Sequence, residues 1–522
     1  MRTRTISLLG AAVAFVLGSG CAGAPPPPPP EPPVAAPEPP PDAGPPPREQ
    51  PPASGQAKPF RFPKVVWSEL PNGLKIATIP STALPVVQIR AVVLGGRAAD
   101  GEKPGLAAIT ASLLKDGGAG NMSSRDLVTR IESLGSDLSI GTGFDASVLD
   151  LAVTRDHLGE AMDLLGAVMT KPQMAQAELD KLKKRQIERL SDAARTNGSW
   201  GALMVLHRDL FALPSEQHPY ATYSPTTSNV QQITVNDCRA FHRKFFVPKN
   251  AFVVVAGDTT PEAAKAAVSK AFGGWKGGDA PVISFTDPNP PEARKITLVD
   301  RPKSSQSDVY VASFGPERAS KNWAAFAVAN QILGGGVSGR LFLDIREKQS
   351  LAYGTRSGIT ELAHGPSVMS AYAGTQTAKT GLALRGLLEH LERLSQTAPE
   401  SGEVEIATRY LADSFSVKLE TIGAVAAELA QLRIHGLPDD YDDGYRKELS
   451  EITAPLALKA ASDHLRSGHE VIVVAGDAAV IGPMLSHFGE VKVVDPTKDF
   501  ARVRSIPMDA NAPLEVPREA GK

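Results

Sequence analysis

Apolar segments recur in the same order in two parts of the chain. Residues 251–258 read Ala-Phe-Val-Val-Val-Ala-Gly-Asp, and residues 470–477 read Glu-Val-Ile-Val-Val-Ala-Gly-Asp, an offset of 219 positions. The upstream dipeptides Ile233-Thr234 and Ile452-Thr453 share that offset. A repeat that involves several elements predicts two tandem homologous domains, each of about 220 residues, rather than a set of smaller ones.

The periodicity of apolar positions predicts the elements of each domain. Alternating or continuous apolar positions predict strands, and apolar positions three and four residues apart predict helices. The predicted strands include 86–94, 146–153 and 308–314, and the predicted helices include 126–134, 157–169, 236–246, 261–272, 324–333, 455–466 and 480–488. Because strands and helices mix without strict alternation, the pattern predicts an α+β fold in which each domain is a mixed sheet packed with helices.

A stretch rich in Pro and Gly separates the two repeats at residues 277–292. Such a stretch is typical of a linker between domains. We therefore predict an N-terminal domain over 64–276, a C-terminal domain over 293–495 and a C-terminal tail over 496–522.

The start of the chain has the layout of a secretory signal peptide. Two arginines precede an apolar run at residues 6–17, whereas about 20 apolar residues are needed to span a bilayer as a helix. The run is too short for a membrane helix, and we predict a signal peptide over residues 1–20.

The next segment resembles a bacterial lipobox, which makes Cys21 the predicted lipidation site. Ordinary signal cleavage a few residues later is the alternative, although Pro25 is an unfavourable neighbour for it. Residues 25–52 hold 17 of the 44 prolines and favour an extended conformation, so we predict a Pro-rich linker over 21–63. We expect a periplasmic lipoprotein of the cell envelope. Ala22 is not the aspartate associated with inner-membrane retention, which favours the outer membrane and leaves the inner membrane as the alternative.

Composition excludes several classes of function. Hydrophobic residues make up 42% and charged residues 21% of the chain, which is ordinary for a globular protein. The 55 Lys and Arg residues nearly balance the 57 Asp and Glu residues, so no basic excess is available to bind nucleic acid. The two cysteines can build neither a disulfide framework nor a Cys-rich structural zinc site.

Two motifs look like binding sites but lack the required context. Residues 334–339 match the glycine pattern of a dinucleotide fingerprint, yet the segment before them is predicted to be a helix rather than a strand, and a flexible glycine loop fits better. His157 and Glu160 begin a pattern similar to an inverted zinc motif, but Ala161 stands where the second histidine is required.

Several short motifs occur in a fixed order between residues 65 and 495. They are Leu-Pro-Asn-Gly-Leu at 70–74, Gly-Gly-Arg at 95–97, Gly-Leu-Ala at 105–107, His-Pro-Tyr at 218–220, the Val-Val-Ala-Gly-Asp strand, Gly-Gly-Gly-Val-Ser-Gly-Arg-Leu at 334–341 and Arg-Glu-Lys-Gln-Ser-Leu-Ala-Tyr at 346–353. In this order the region resembles the insulinase-like zinc metallopeptidases, the family of pitrilysin and mitochondrial processing peptidase. The resemblance implies the two-domain, clam-half architecture of that family.

The resemblance also implies that the zinc site is lost. Family peptidases carry H-x-x-E-H directly after the Gly-Leu-Ala segment, with two zinc-binding histidines and a glutamate as general base. The matching positions here are Ala108, Ala111 and Ser112. The third ligand, a downstream glutamate, aligns with Arg189, and Glu188 is the match in the alternative register. Because a lone carboxylate does not hold zinc, we expect no catalytic residue and no bound metal or other cofactor in this chain.

Two positions in the second half match substrate-binding residues of the family. There an arginine and a tyrosine of the C-terminal domain reach over the substrate at the zinc site, and Arg346 and Tyr353 match them at the end of a helix predicted to begin near Arg340. A guanidinium supplies a rigid set of donors, and a tyrosine hydroxyl can stabilise an oxyanion. A solvated arginine at a helix end and a core tyrosine are the alternative interpretation.

These features lead to two hypotheses of different classes. In the first, the chain is the non-catalytic, substrate-binding subunit of a zinc peptidase, and a homologous partner that carries the intact motif supplies the zinc. Its other partners are then a peptide substrate and, through the lipid, a membrane. In the second, the chain is a peptide-binding or scaffold protein without a proteolytic role. A self-sufficient hydrolase is disfavoured because the sequence contains no G-x-S-x-G motif.

The lipidation hypothesis predicts that Cys21→Ser abolishes labelling of the protein with radioactive palmitate in cells and releases it into the soluble periplasmic fraction. The reason is that Cys21 is the one thiol next to the signal peptide. Cys238→Ser is the matched control and should leave labelling unchanged. Undiminished labelling of the Cys21→Ser protein would contradict the hypothesis.

Overall fold

A computed structural model describes residues 61–213 and 217–516 of the chain. The predicted signal peptide (1–20), the lipidation site Cys21 and nearly all of the predicted linker (21–63) lie outside the described residues. Among the helices that are described, none combines the length and the apolar character needed to cross a membrane.

The first half of the described chain forms a six-stranded mixed sheet. Its strands are β1 (Val66–Glu69), β2 (Lys75–Pro80), β3 (Val86–Val93), β4 (Ser139–Thr142), β5 (Ser147–Thr154) and β6 (Ala251–Gly257). The spatial order is β1-β2-β6-β3-β5-β4; β2 and β6 are parallel and the other neighbours are antiparallel. The helices are α1 (Leu106–Asp116), α2 (Ser124–Ser133), α3 (Leu158–Thr170), α4 (Gln176–Thr196), α5 (Gly198–Leu210), α6 (Thr227–Gln232), α7 (Val235–Phe245) and α8 (Pro261–Phe272).

The second half forms a seven-stranded mixed sheet. Its strands are β7 (Lys295–Asp300), β8 (Gln306–Phe314), β9 (Ala352–Thr360), β10 (Val368–Gln376), β11 (Val471–Gly476), β12 (Val491–Asp495) and β13 (Ala501–Ile506). The spatial order is β13-β12-β7-β11-β8-β10-β9, and β7 runs parallel to β11 and β12. The helices are α9 (Trp323–Gly334), a π-helix (Phe342–Lys348), α10 (Thr380–Gln396), α11 (Ser401–Lys418), α12 (Ile422–Ile434), α13 (Tyr441–Glu451), α14 (Ala454–His464) and α15 (Ala478–Ser486).

The two halves repeat the same topology. The order β2-β6-β3-β5-β4 in the first sheet matches β7-β11-β8-β10-β9 in the second, with the same parallel and antiparallel senses. The predicted α+β class with two mixed sheets is thereby confirmed.

The repeated Ile-Thr dipeptide has a physical reason. Thr234 is the N-cap of α7, where its side chain accepts a hydrogen bond from the Asp237 amide, and Thr453 occupies the N-cap position of α14. Ile233, just before the first of these caps, is fully buried. A β-branched hydroxyl residue after an apolar one is a signal for a helix start, which is why the pattern marks the same position in both halves.

The second sheet continues beyond residue 495, into the segment predicted as a tail. β13 pairs antiparallel with β12, with a register shift at Val493 and Val494. β13 reads Ala-Arg-Val-Arg-Ser-Ile and its first four residues are exposed. Charged residues on a strand at the edge of a sheet discourage pairing with other chains. Because of these residues β13 contains no apolar run, and the pattern of apolar positions does not predict it.

One helix of each half packs on the sheet of the other half. α5 contacts β7, β8 and β11 of the second sheet, and its repeat counterpart α12 contacts β3 and β6 of the first sheet. The apolar side chains of α5, including Val205 and Leu206, share a core with Val471 and Val473 of β11. The halves therefore interlock through two exchanged helices.

This exchange explains why the central strands are apolar at every position. In β6, Val254 and Ala256 point into the core shared with α12, whereas Val253 and Val255 point into the core of the first half. All residues of β6 and β11 are buried. Strands that are covered on both faces are continuous apolar runs rather than alternating ones.

Leu429 of α12 gives a test of this interlock because it is fully buried in the core that contains Val254 and Ala256 of β6. We predict that Leu429→Ala lowers the free energy of unfolding by about 2–5 kcal/mol, from lost burial and the cavity left behind. Urea unfolding should be followed in single-tryptophan variants that retain Trp275 in the first half or Trp323 in the second.

The urea midpoints reported by the two tryptophan probes should fall together, since α12 belongs to one half and packs on the sheet of the other. The matched control is Leu456→Ala, because Leu456 is 46% exposed and its loss should change stability little. A shift confined to the Trp323 probe would show that the halves unfold independently and would contradict the interlock.

Candidate functional site

The residues at the zinc-motif positions lie on α1. Asp100 stabilises the start of this helix, because its carboxylate accepts hydrogen bonds from the Gly105 and Ala107 amides, each at 2.7 Å. One turn further on, Ala108 and Ala111 present only methyl groups. The Ser112 hydroxyl donates to the Ala108 carbonyl at 2.9 Å, so α1 offers no imidazole or carboxylate to a metal at these positions.

The residue at the third ligand position lies on α4, which packs against α1. Arg189 is exposed and donates to the side chain of Gln186 at 2.6 Å, and Glu188 is also exposed. A guanidinium repels a cation and cannot ligate it. Within residues 61–213 and 217–516, no group of three or more His, Cys, Asp or Glu side chains is arranged to hold a metal ion. These residues do not fit a zinc ion.

The other zinc-like pattern of the sequence is structural. His157 is the N-cap residue of α3, and Glu160 in the first turn of that helix pairs with Arg130 of α2. The glycines of 334–339 follow a helix, α9, and serve close packing: a Cβ on Gly334 would lie 2.7 Å from the Ser357 amide. Gly334 is therefore closely packed against β9, whereas Val337 and Ser338 in the middle of the segment are exposed.

Arg346 and Tyr353 line one pocket, although they belong to different elements. Arg346 lies in the π-helix, whereas Tyr353 is the second residue of β9. Ser350, with a left-handed φ of 52°, separates the two elements because such a conformation does not continue a right-handed helix. The helix predicted to carry both residues thus ends before Tyr353, and the turn brings both side chains to a pocket of about 360 Å³.

Tyr353 is placed to act as a hydrogen-bond donor. Its side chain is 52% exposed, and its hydroxyl donates to the Gln306 side chain at 3.1 Å. Partial burial and the nearby Asp308 carboxylate raise the pKa of Tyr353, against an opposing effect of Arg301. The hydroxyl therefore keeps its proton at neutral pH, which is the state that can stabilise an oxyanion. The alternative of a core tyrosine does not describe this exposed side chain.

The pocket also contains two cationic side chains. The Arg346 guanidinium lies 4.6 Å from the centre of the Phe342 ring and 3.6 Å from the Glu347 carboxylate. Lys379 donates to the Ser350 carbonyl at 2.9 Å and lines the same pocket together with Gln376. No motif of the sequence points to Gln376 and Lys379. Only the pairing of β9 with β10, which places Thr375 opposite Ala352, brings them to the site.

Comparison with known proteins identifies the family. The description "Insulinase (Peptidase family M16)" matches residues 75–222, and "Peptidase M16 inactive domain" matches residues 232–411. Together these segments cover more than half of the chain. The chain belongs to the M16 peptidase family. The first segment contains the predicted zinc positions Ala108, Ala111, Ser112 and Arg189, and the second contains Arg346 and Tyr353.

Some relatives of this M16 chain are named as zinc proteases, and one is named as a non-peptidase. A protein of Helicobacter pylori named "non-peptidase homolog YmxG" is 23% identical over 72% of this chain and 84% of its own length. An uncharacterized zinc protease of Streptomyces coelicolor is 25% identical over 80% and 89%. A solved "peptidase M16 inactive domain" from Pseudomonas fluorescens has a TM-score of 0.73 at 25% identity, covering 79% of this chain and 98% of that one.

The assignment of the zinc positions predicts that the metal site can be rebuilt. The variant Ala108→His, Ala111→Glu, Ser112→His and Arg189→Glu should bind one equivalent of zinc in isothermal titration calorimetry, because it supplies two imidazoles and a carboxylate on adjacent helices. The wild-type chain, assayed in parallel, should bind none at these positions.

The same variant without Arg189→Glu decides the register on α4. Weak or absent binding by this triple variant supports position 189. Equal binding by the triple and quadruple variants would move the third ligand position to Glu188. If the quadruple variant binds no zinc while it remains folded by circular dichroism, these positions are not those of the family zinc site.

Proposed function

We propose that this chain is the non-catalytic, substrate-binding subunit of an M16 zinc peptidase of the cell envelope. The observation that supports this proposal best is that Arg346 and Tyr353 line one pocket. These two residues match the family's substrate-binding pair, and the predicted zinc positions of the same chain hold Ala108, Ala111, Ser112 and Arg189. In this proposal, a chain that lacks the metal chemistry but retains donors for a substrate works with a second chain that completes the active site.

In this proposal, each side chain of the pocket has a distinct task. The exposed Arg346 guanidinium donates hydrogen bonds to a carbonyl of the bound peptide. The protonated Tyr353 hydroxyl exchanges its bond to Gln306 for one to the oxygen that becomes negatively charged during cleavage. The zinc, its ligands and the general base come from a homologous partner chain with an intact H-x-x-E-H motif.

The proposed location is the periplasmic face of the outer membrane. It is supported by the signal-peptide layout before Cys21 and by the proline content of 25–52. The proline-rich composition of that stretch is typical of a spacer between an anchor and a folded domain.

A second candidate function is a peptide-binding or scaffold protein that takes no part in proteolysis. The name "non-peptidase homolog" of the Helicobacter pylori relative favours it. The two candidates differ in what they require of Tyr353, since a scaffold needs no oxyanion donor.

Mixing experiments test the proposal. The full-length chain in detergent should not cleave fluorescein-labelled casein, whereas an equimolar mixture with the zinc-motif homologue from the same organism should. We predict that Tyr353→Phe and Arg346→Ala each lower kcat of the mixture by about a hundredfold or more, as expected for loss of a transition-state donor.

Tyr410→Phe is the matched control, because Tyr410 is likewise about half exposed but lies on α11, outside the pocket. It should leave kcat unchanged. A stable complex with no cleavage, or cleavage that is indifferent to Tyr353→Phe, would favour the scaffold function. Chelator-sensitive cleavage by this chain alone would contradict both candidates.

A further inference from the structure

A second pocket lies at the turn between β7 and β8, two residues before Gln306, the hydrogen-bond partner of Tyr353. It has a volume of about 420 Å³ and is lined by three segments: residues 194–195 at the end of α4, residues 300–304 in the turn between β7 and β8, and residues 495–497 after β12. None of its residues belongs to the motifs of the family noted above. Its walls come from both halves of the interlocked fold.

The pocket has an unbalanced set of charges. Arg195 and Lys303 are exposed, and the side chain of neither forms a hydrogen bond or ion pair with any described residue. Arg301, between them, donates to the Thr196 carbonyl at 2.8 Å and lies 3.9 Å from Asp308. At least two of the three cations in the pocket therefore lack a counter-ion.

The carboxylates of the pocket are already engaged. Asp300 accepts a hydrogen bond from the Ala478 amide at 3.1 Å. Asp495 accepts two from Thr497, at 2.9 and 2.7 Å, and forms an ion pair with Lys498 at 3.3 Å. Because these acceptors have partners within the chain, they leave Arg195 and Lys303 available to an anion from outside.

The turn that presents Lys303 is held in a strained conformation. Lys303 has a left-handed φ of 65°, which costs an L-residue with a long side chain about 1–2 kcal/mol. The turn is fixed by hydrogen bonds from the Lys303 amide to Asp477 at 2.8 Å and from the Ser304 amide to the Arg301 carbonyl at 3.1 Å. Backbone strain of this kind is concentrated at ligand-binding positions.

Gln306 connects this pocket to the Tyr353 site. The Ser304 hydroxyl, in the pocket, donates to the Gln306 carbonyl at 2.7 Å, and Tyr353 donates to the Gln306 side chain. Tyr353 is also close enough to Arg301 for the guanidinium to influence its pKa. Besides Arg346 and Lys379 of its own pocket, the Tyr353 site therefore has a second group of positive charges on the Lys303 side.

We propose that the pocket formed by Arg195, Arg301 and Lys303 binds a carboxylate of the peptide that is held at Tyr353. The proposal rests on the proposed function insofar as the ligand is a peptide. The carboxylate belongs either to an acidic side chain or to a free C-terminus. Both present the planar pair of oxygens that a guanidinium and an ammonium group recognise.

The test is a binding measurement that needs no cleavage. The full-length chain in detergent is titrated, with fluorescence anisotropy as the readout, into a short fluorescein-labelled Ala-Val peptide with one glutamate and a free C-terminus. Two matched peptides carry either glutamine for the glutamate or a C-terminal amide. We predict that at least one of these changes weakens binding about five- to tenfold, and the affected peptide identifies the source of the carboxylate.

The double variant Arg195→Gln and Lys303→Asn should weaken binding of the acidic peptide by a similar factor and remove the difference between the peptides. Neither side chain has an intramolecular partner, and asparagine tolerates a left-handed φ, so the fold should be retained. The matched control, Arg125→Gln and Lys265→Gln, removes two exposed charges from α2 and α8 and should have no effect.

The outcomes separate this proposal from the proposed function. Equal affinities for all three peptides, absence of peptide binding, or equal effects of the two double variants would overturn the carboxylate pocket. If cleavage on mixing still depends on Tyr353, the proposed function survives that result. Conversely, carboxylate-dependent binding without any cleavage on mixing would support the pocket and remove the peptidase role.

Discussion

The exchange of α5 and α12 between the two sheets is the constraint on which the remaining structure depends. Each helix covers the open face of a sheet that belongs to the other half, and the central strands β6 and β11 are buried on both faces as a result. If one half slid against the other, apolar surface would be exposed to water. That exposure would cost about 25 cal/mol per Å². The interlock therefore fixes α4, the β7–β8 turn and β9 relative to one another, and these elements carry the two pockets.

The two halves share one topology but have kept different chemistry. On α1 of the first half, the predicted zinc positions carry two methyl groups and a hydroxyl that donates to the carbonyl of its own helix. In the second half, a turn at Ser350 places a guanidinium and a phenol on one pocket. A fold of this kind is compatible with many functions, and only these side chains distinguish a substrate-binding subunit from a peptidase.

The sequence predicted those features that depend on local pattern. The repeat, the central strands and the helix starts at Thr234 and Thr453 follow from apolar runs and capping residues within a short stretch of chain. β13 was missed because its alternating charged residues resemble a surface loop. Lys379, Gln376 and the Arg195–Lys303 pocket were missed because they depend on contacts between distant segments. The helix exchange likewise leaves no local signal in the sequence. A buried strand is apolar whether the helix that covers it comes from its own half or from the other half.

We propose that Tyr353 of this chain faces a substrate at the zinc of another chain. The most direct test places a photoreactive benzophenone amino acid at position 353 and irradiates the complex with the zinc-motif homologue in the presence of a casein peptide. We expect adducts, located by mass spectrometry, on the peptide and on the partner helix that carries H-x-x-E-H. Adducts confined to this chain, in a complex that is otherwise stable, would contradict a shared active site.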